Sequence, residues 1–229
     1  MTEVEWLACA DPTPMLQFLK GKASDRKLRL FCCGCCRSIW HLIPDTRSRS
    51  AVNTVERFVD GQATVDEFRG AEELALQAEE ESNGAEAETM TETGSAAVSY
   101  AFQTMNIHTV QHVVEFAYSE FACPATMRGL NRSAIDTRAD EERKRQACIF
   151  RDIFDNPFHT MSVDPSWLTS TVAALAEGIY QEHAFDRMPI LADALQDAGC
   201  DNADILNHCR GESPHVRGCW VVDLLLGKA

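Results

Sequence analysis

Residues 24–43 read SDRKLRLFCCGCCRSIWHLI, and the spacing of their apolar side chains decides the fold class. Ser24 is a helix N-cap type, whose hydroxyl accepts from the first free amides, and Pro44 stops the run because it has no N–H to continue it. At about 100° per residue, Leu28, Phe31, Cys32, Cys35, Ile39 and Leu42 fall on one stripe, the expected buried face. Cys36 flanks that stripe, and Cys33 projects away from it on the side of Trp40. The pattern is helical, with no alternation to support a strand.

The four cysteines of this helix invite a metal or redox reading. Thiolates on one rigid helix cannot close around a tetrahedral ion, because adjacent ones diverge and only Cys32/Cys35 or Cys33/Cys36 share a side. A thioredoxin-like pair belongs at a helix N-terminus, where the dipole lowers the thiol pKa, and these lie mid-helix. They read better as small buried hydrophobes. The chain has ten cysteines, yet it is too long and too apolar to need a disulfide framework, so reduced thiols are expected.

Similar signals extend outward in both directions. Thr2 with Glu5 forms a capping box before Trp6 and Leu7, and Thr13-Pro14 is expected to open a helix that Gly21 closes. Asp45 can cap a helix whose Val52, Val55, Phe58 and Val59 share a face, and Thr64 with Glu67 makes a second capping box. Further helices are expected over 95–121, 140–154, 186–198 and 203–208, with one more opened by Thr169. Met161 to Val163 and Val221-Val222 could each add a short strand. The fold class is therefore all-α, an irregular multi-helix bundle of about eight to ten helices. Residues 79–94, EEESNGAEAETMTETG, are acidic and almost free of large apolar groups, and read as a linker between an N-terminal lobe over 1–78 and a C-terminal lobe over 95–229; the two could pack as one domain.

Composition excludes several function classes. The chain has 229 residues, 45% hydrophobic and 24% charged, which is the make-up of a soluble globule. Its 21 Lys+Arg against 35 Asp+Glu give a net charge of -14, a mean field that repels nucleic acid. The N-terminus is acidic where a secretory signal would be basic, and the apolar run Trp220 to Leu226 is short and interrupted by Asp223, so a cytoplasmic location without a membrane span is expected. No Gly-Xaa-Ser-Xaa-Gly elbow or phosphate-binding glycine loop is present, so serine-hydrolase and P-loop chemistry are excluded.

Two clusters carry metal-ligand residue types. Cys200, Cys209, His215 and Cys219 crowd one C-terminal stretch, where the Gly-Glu-Ser-Pro turn could fold Cys209 back toward His215 and Cys219 around a zinc ion. His108 and His112 have the i,i+4 spacing of helical zinc ligands with Glu115 on the same side, although HTVQH lacks the glutamate of the metalloprotease pattern. A solvated polar face is the competing account of that trio. Trp167 and Trp220 are candidate anchors, either fastening C-terminal elements down or, if left in a groove, binding a partner.

The blocks EWLACADPTPMLQFLKGKASDRKLRLFCCGCCRSIWHLI (5–43), RDIFDNPF (151–158), VDPSWLTSTVAALAEGIY (163–180), FDRMPILADALQDAGCDNADILNHCRG (185–211) and PHVRGCWVVDLLLGK (214–228) resemble an uncharacterised protein family abundant in planctomycete bacteria. ILADALQDAGCDNADIL (190–206) is also similar to the LADWLE-type core of a short repeat-companion domain of the same bacteria. The resemblance leaves out residues 72–145 and implies no activity, ligand or catalytic residue. The functional expectation is a non-catalytic helical module for protein–protein interaction or regulation. The alternatives are a zinc-stabilised regulatory domain using the C-terminal Cys/His set and an enzyme of unrecognised type built on His108, His112 and Glu115.

Overall fold

The computed structural model describes residues 1–84, 97–103, 105–122 and 132–228. Helices α1 (Glu3–Ala8), α2 (Pro12–Phe18), α3 (Asp25–Ser38), α4 (Thr46–Val59) and α5 (Val65–Gly84) follow the sequence signals closely. Thr2 and Glu5 close the capping box on α1, Ser24 accepts from the Lys27 amide at α3, and Asp45 accepts from the Arg47 amide at α4. Thr64 and Glu67 exchange the two bonds of a capping box before α5. One cap differs: Asp11, rather than Thr13, opens α2, because Pro12 then occupies the first turn where no N–H is needed.

The chain continues through a helical turn over 97–100, then α6 (Ile107–Ala122), α7 (Arg132–Phe154), α8 (Ser170–Glu182), α9 (Met188–Asp197), α10 (Ala203–Arg210) and α11 (Trp220–Leu226). The described residues contain no strand: Met161 to Val163 is irregular, and Val221-Val222 lies within α11. The helix expected over 95–121 is interrupted between 100 and 107, and the one expected from Asp140 begins at Arg132. No helix among the described residues is long and apolar enough to cross a membrane.

Two compact units divide the chain, Met1–Cys148 and Ile149–Ala229, so the division falls inside α7 rather than at 79–94. Residues 79–84 of the expected linker continue α5, and 85–94 lie outside the described residues. In the first unit α3 packs on both α4 and α6, which corrects the one-sided reading of its helical wheel. Cys33, expected to point outward, is as buried as Cys32, Cys35 and Cys36. Burial pushes the Cys32 thiol up to about 12 and holds the other three well above the usual thiol range. They are neutral apolar filler, fixed between two buried polar contacts: Arg37 pairs with Glu56 at 2.7 Å, and the Ser38 hydroxyl donates to Glu142 at 2.6 Å.

The second unit is built on a separate core. Val172, Ile179 and Tyr180 of α8 meet Leu191 and Leu195 of α9, Ile205 of α10 and Val221 of α11, all fully buried. Each such side chain contributes roughly 1.5–3 kcal/mol by leaving water. Trp220 is 6% exposed within this core and Trp167 packs partly buried against it, so both fit the fastening role rather than an open groove.

A candidate metal centre in the second unit

The site begins with a buried carboxylate. Asp152 lies in the last turn of α7 among Ile149, Phe150 and Ile153, and is 2% exposed. A buried carboxylate needs partners, and it has three. Oδ2 accepts from the Val216 amide at 2.9 Å; Oδ1 lies 2.6 Å from His215 Nδ1 and 3.1 Å from His208 Nε2. Burial pushes the carboxyl pKa up, but the hydrogen bonds and charges of His208 and His215 outweigh it, and Asp152 is held below the usual range.

The other donors come from three consecutive pieces of chain. In α10, Ile205 and Cys209 face the core, which turns His208 toward α7. His215 follows in the loop after Gly211, and that loop is tied down by Val216 on Asp152 and by the Cys219 amide bonded to the Val216 carbonyl at 2.9 Å. Gly218 turns the chain with φ +94°, a conformation that other residues rarely adopt. Cys219 is the N-cap of α11, yet its side chain makes no capping bond. A thiol is a poor substitute for Ser or Asp there, and its Sγ points instead to His208 Nε2 at 3.2 Å, with His215 Nδ1 at 3.9 Å.

Asp152, His208, His215 and Cys219 thus each present one ligand atom, all within 4.8 Å of one another. Zinc bonds of about 2.0–2.3 Å set tetrahedral donor–donor edges of roughly 3.3–3.7 Å, so the four atoms need shift only by several tenths of an ångström to hold an ion. Asp152, His215 and Cys219 side chains are nearly or wholly inaccessible, while that of His208 is 18% exposed. Carboxylate and thiolate together would neutralise a divalent cation. Without an ion, burial first and the Asp152 charge second push the Cys219 thiol well above its ordinary range, so it is protonated.

The same atoms argue against a Cys-His-Asp nucleophile. In such a triad the acid and the thiol sit on opposite nitrogens of one imidazole, whereas here both approach Nε2 of His208, and both lie on the Nδ1 side of His215. Convergence on the inward nitrogens is a coordination pattern.

The outer nitrogens define the metal-free form. Trp220 Nε1 donates to His208 Nδ1 at 3.0 Å; an indole N–H can only donate, so the His208 proton resides on Nε2, facing Asp152 and Cys219. Coordination at Nε2 would move that proton to Nδ1, against the indole N–H, and Trp220 or the imidazole must then rotate. His215 Nε2 is buried and meets no hydrogen-bond partner among the described residues.

Of the C-terminal quartet expected from sequence, His215 and Cys219 belong to the cluster. Cys200 and Cys209 do not: both lie in the apolar core, and burial pushes the Cys209 thiol up to about 12. Asp152 and His208 take their places. His108, His112 and Glu115 do not form a ligand group. His112 Nδ1 is 3.9 Å from Glu115 with both side chains largely exposed, its ring lies beside Tyr100 and Phe116, and His108 is exposed. Among the described residues Asp152, His208, His215 and Cys219 are the one group of three or more such side chains close enough to share an ion. Comparison with protein-family models, with curated proteins and with solved structures finds no match.

Proposed function

We propose that Ile149–Ala229 is a zinc-stabilised, non-catalytic helical module, with Asp152, His208, His215 and Cys219 as ligands. The observation that carries this reading is the convergence of four donors, two of them buried and two partly so, from separate pieces of chain upon one small volume. Two anionic and two imidazole donors match the borderline character of zinc, and a closed set of four protein ligands is the pattern of structural rather than catalytic sites. The metal would pin α7, α10, the 211–218 loop and α11 together. A module of this kind acts through its surface, and the net charge of -14 favours basic protein partners over nucleic acid.

Metal analysis of protein produced with zinc in the growth medium and purified without chelator tests the proposal. One zinc per chain is expected, with a fall in melting temperature on chelation that added zinc restores. Metal well below one per chain, together with melting unchanged by chelator or by zinc, overturns it. If Asp152→Asn or Cys219→Ser fails to fold, zinc titration of the wild-type apoprotein still decides the matter.

A further inference from the structure

The Met1–Cys148 unit contains a cleft of about 600 Å³ that takes no part in the metal centre. It arises where α2 ends, α3 begins and α6 begins: ridges and grooves that interlock along helices have nothing to fill them where three helix ends meet. The volume lies within the range of small-molecule sites, about 300–1,000 Å³. Leu16, Leu19, Leu28 and Met105 form its apolar floor, and each is itself under 9% exposed.

The rim is polar, with one lysine, one aspartate and one histidine side chain on it. Lys20 and the His108 imidazole stand on it, and Asn106, whose side chain accepts from the Thr109 amide, caps the start of α6 there. The N-terminus of α3 adds a second positive helix end, partly offset by Asp25 in its first turn. In a chain of net charge -14, an apolar cleft edged by a lysine, a histidine and two helix N-termini is complementary to a small amphiphile with an anionic head.

We propose that this cleft binds a small amphiphilic carboxylate, its hydrocarbon part on Leu16, Leu19, Leu28 and Met105 and its carboxylate at Lys20 and His108. Ala23 also lines the cleft, so a bulky side chain there would take up part of its volume. This assignment stands apart from the zinc reading, since the cleft and the metal ligands belong to different units.

Displacement of 1-anilinonaphthalene-8-sulfonate by octanoate, octan-1-ol and octylammonium tests it on the full chain. Octanoate is expected to displace the dye at least about fivefold more tightly than the alcohol or the amine, the scale of one exposed ion pair. Lys20→Glu reverses an exposed side chain's charge without touching the floor, and should weaken octanoate at least about fivefold while leaving octan-1-ol within about twofold. Ala23→Trp should block all three. Equal binding of acid and alcohol, preference for the amine, octanoate affinity unmoved by Lys20→Glu, or no displaceable dye in the wild type each overturns the proposal. If Ala23→Trp unfolds the chain, Lys20→Glu decides.

Discussion

Zinc binding to the metal-free protein should release a proton that can be assigned to one atom. The Cys219 thiol is protonated, because burial and the Asp152 carboxylate push it well above its usual range, whereas zinc binds the thiolate. Asp152 is already ionised, and His208 Nδ1 accepts from the Trp220 indole. At pH 7.5 the wild type should therefore release one more proton per zinc than Cys219→Ser, read from titration calorimetry in two buffers of different ionisation enthalpy at saturating zinc. Loading also breaks the Trp220–His208 bond, a loss of about 1 kcal/mol. Structural zinc contributes on the order of 10–16 kcal/mol in small folded sites, so coordination outweighs that loss. Free zinc at about 100 times Kd stabilises by about 2.7 kcal/mol, roughly 10–20 °C in melting temperature for a unit of this size. Tryptophan emission should change in step, and the change should be absent in Trp220→Phe. Equal proton release from wild type and Cys219→Ser, or an emission change that survives Trp220→Phe, would refute the assigned donors.

Three other substitutions separate the roles of neighbouring residues. Asp152→Asn removes an anionic ligand, and zinc affinity measured by competition with a chromophoric chelator should fall at least about 100-fold; a loss under about threefold excludes Asp152 from the ligand set. Cys209→Ala should lower stability by about 1–2 kcal/mol in urea through lost burial, yet keep one zinc per chain, because its sulfur belongs to the core. Glu142→Gln addresses a carboxyl whose pKa is raised by burial, partly relieved by Ser38 and Arg145. A raised folded pKa favours the fold below the unfolded value of about 4.3, and that advantage is lost as pH rises through the folded pKa. The variant should be more stable than wild type at pH 7.5 and no more stable at pH 4; a loss at pH 7.5 would mean that the charge of Glu142 stabilises the unit.

Helix periodicity and capping chemistry made the secondary structure legible, because both are local. The reading of α3 failed at Cys33 for a definite reason: a helical wheel assumes one packed side, and α3 is covered by both α4 and α6. At the candidate metal centre, His215 and Cys219 are visible in the sequence because the turn that joins them is short. His208 was passed over for its neighbour Cys209, a choice fixed by helix rotation. Position 208 lies about 60° from Ile205 and about 100° from Cys209 around the helix, on the flank of that apolar face, where it meets Asp152. Asp152 was hidden by distance along the chain, although a carboxylate among Ile149, Phe150, Ile153 and Phe154 signals a buried anion that must have partners.

The lengths of the C-terminal helices explain why this unit would use a metal. Helices α9, α10 and α11 have 10, 8 and 7 residues, all below the roughly 12–15 at which an isolated helix becomes even marginally stable. Between α10 and α11 the 211–219 segment contributes little to the apolar core besides Cys219. In the metal-free form the Asp152 carboxylate holds it through the Val216 amide and the His215 imidazole, and Arg217 lies over the Tyr180 ring at 4.4 Å. Those bonds keep Asp152 ionised in a buried cluster whose thiol is neutral. A divalent ion converts the thiol to a second anionic ligand and leaves the cluster neutral. The order of the metal-free form and the stability of a loaded one would therefore have one source, the carboxylate that α7 carries into the core.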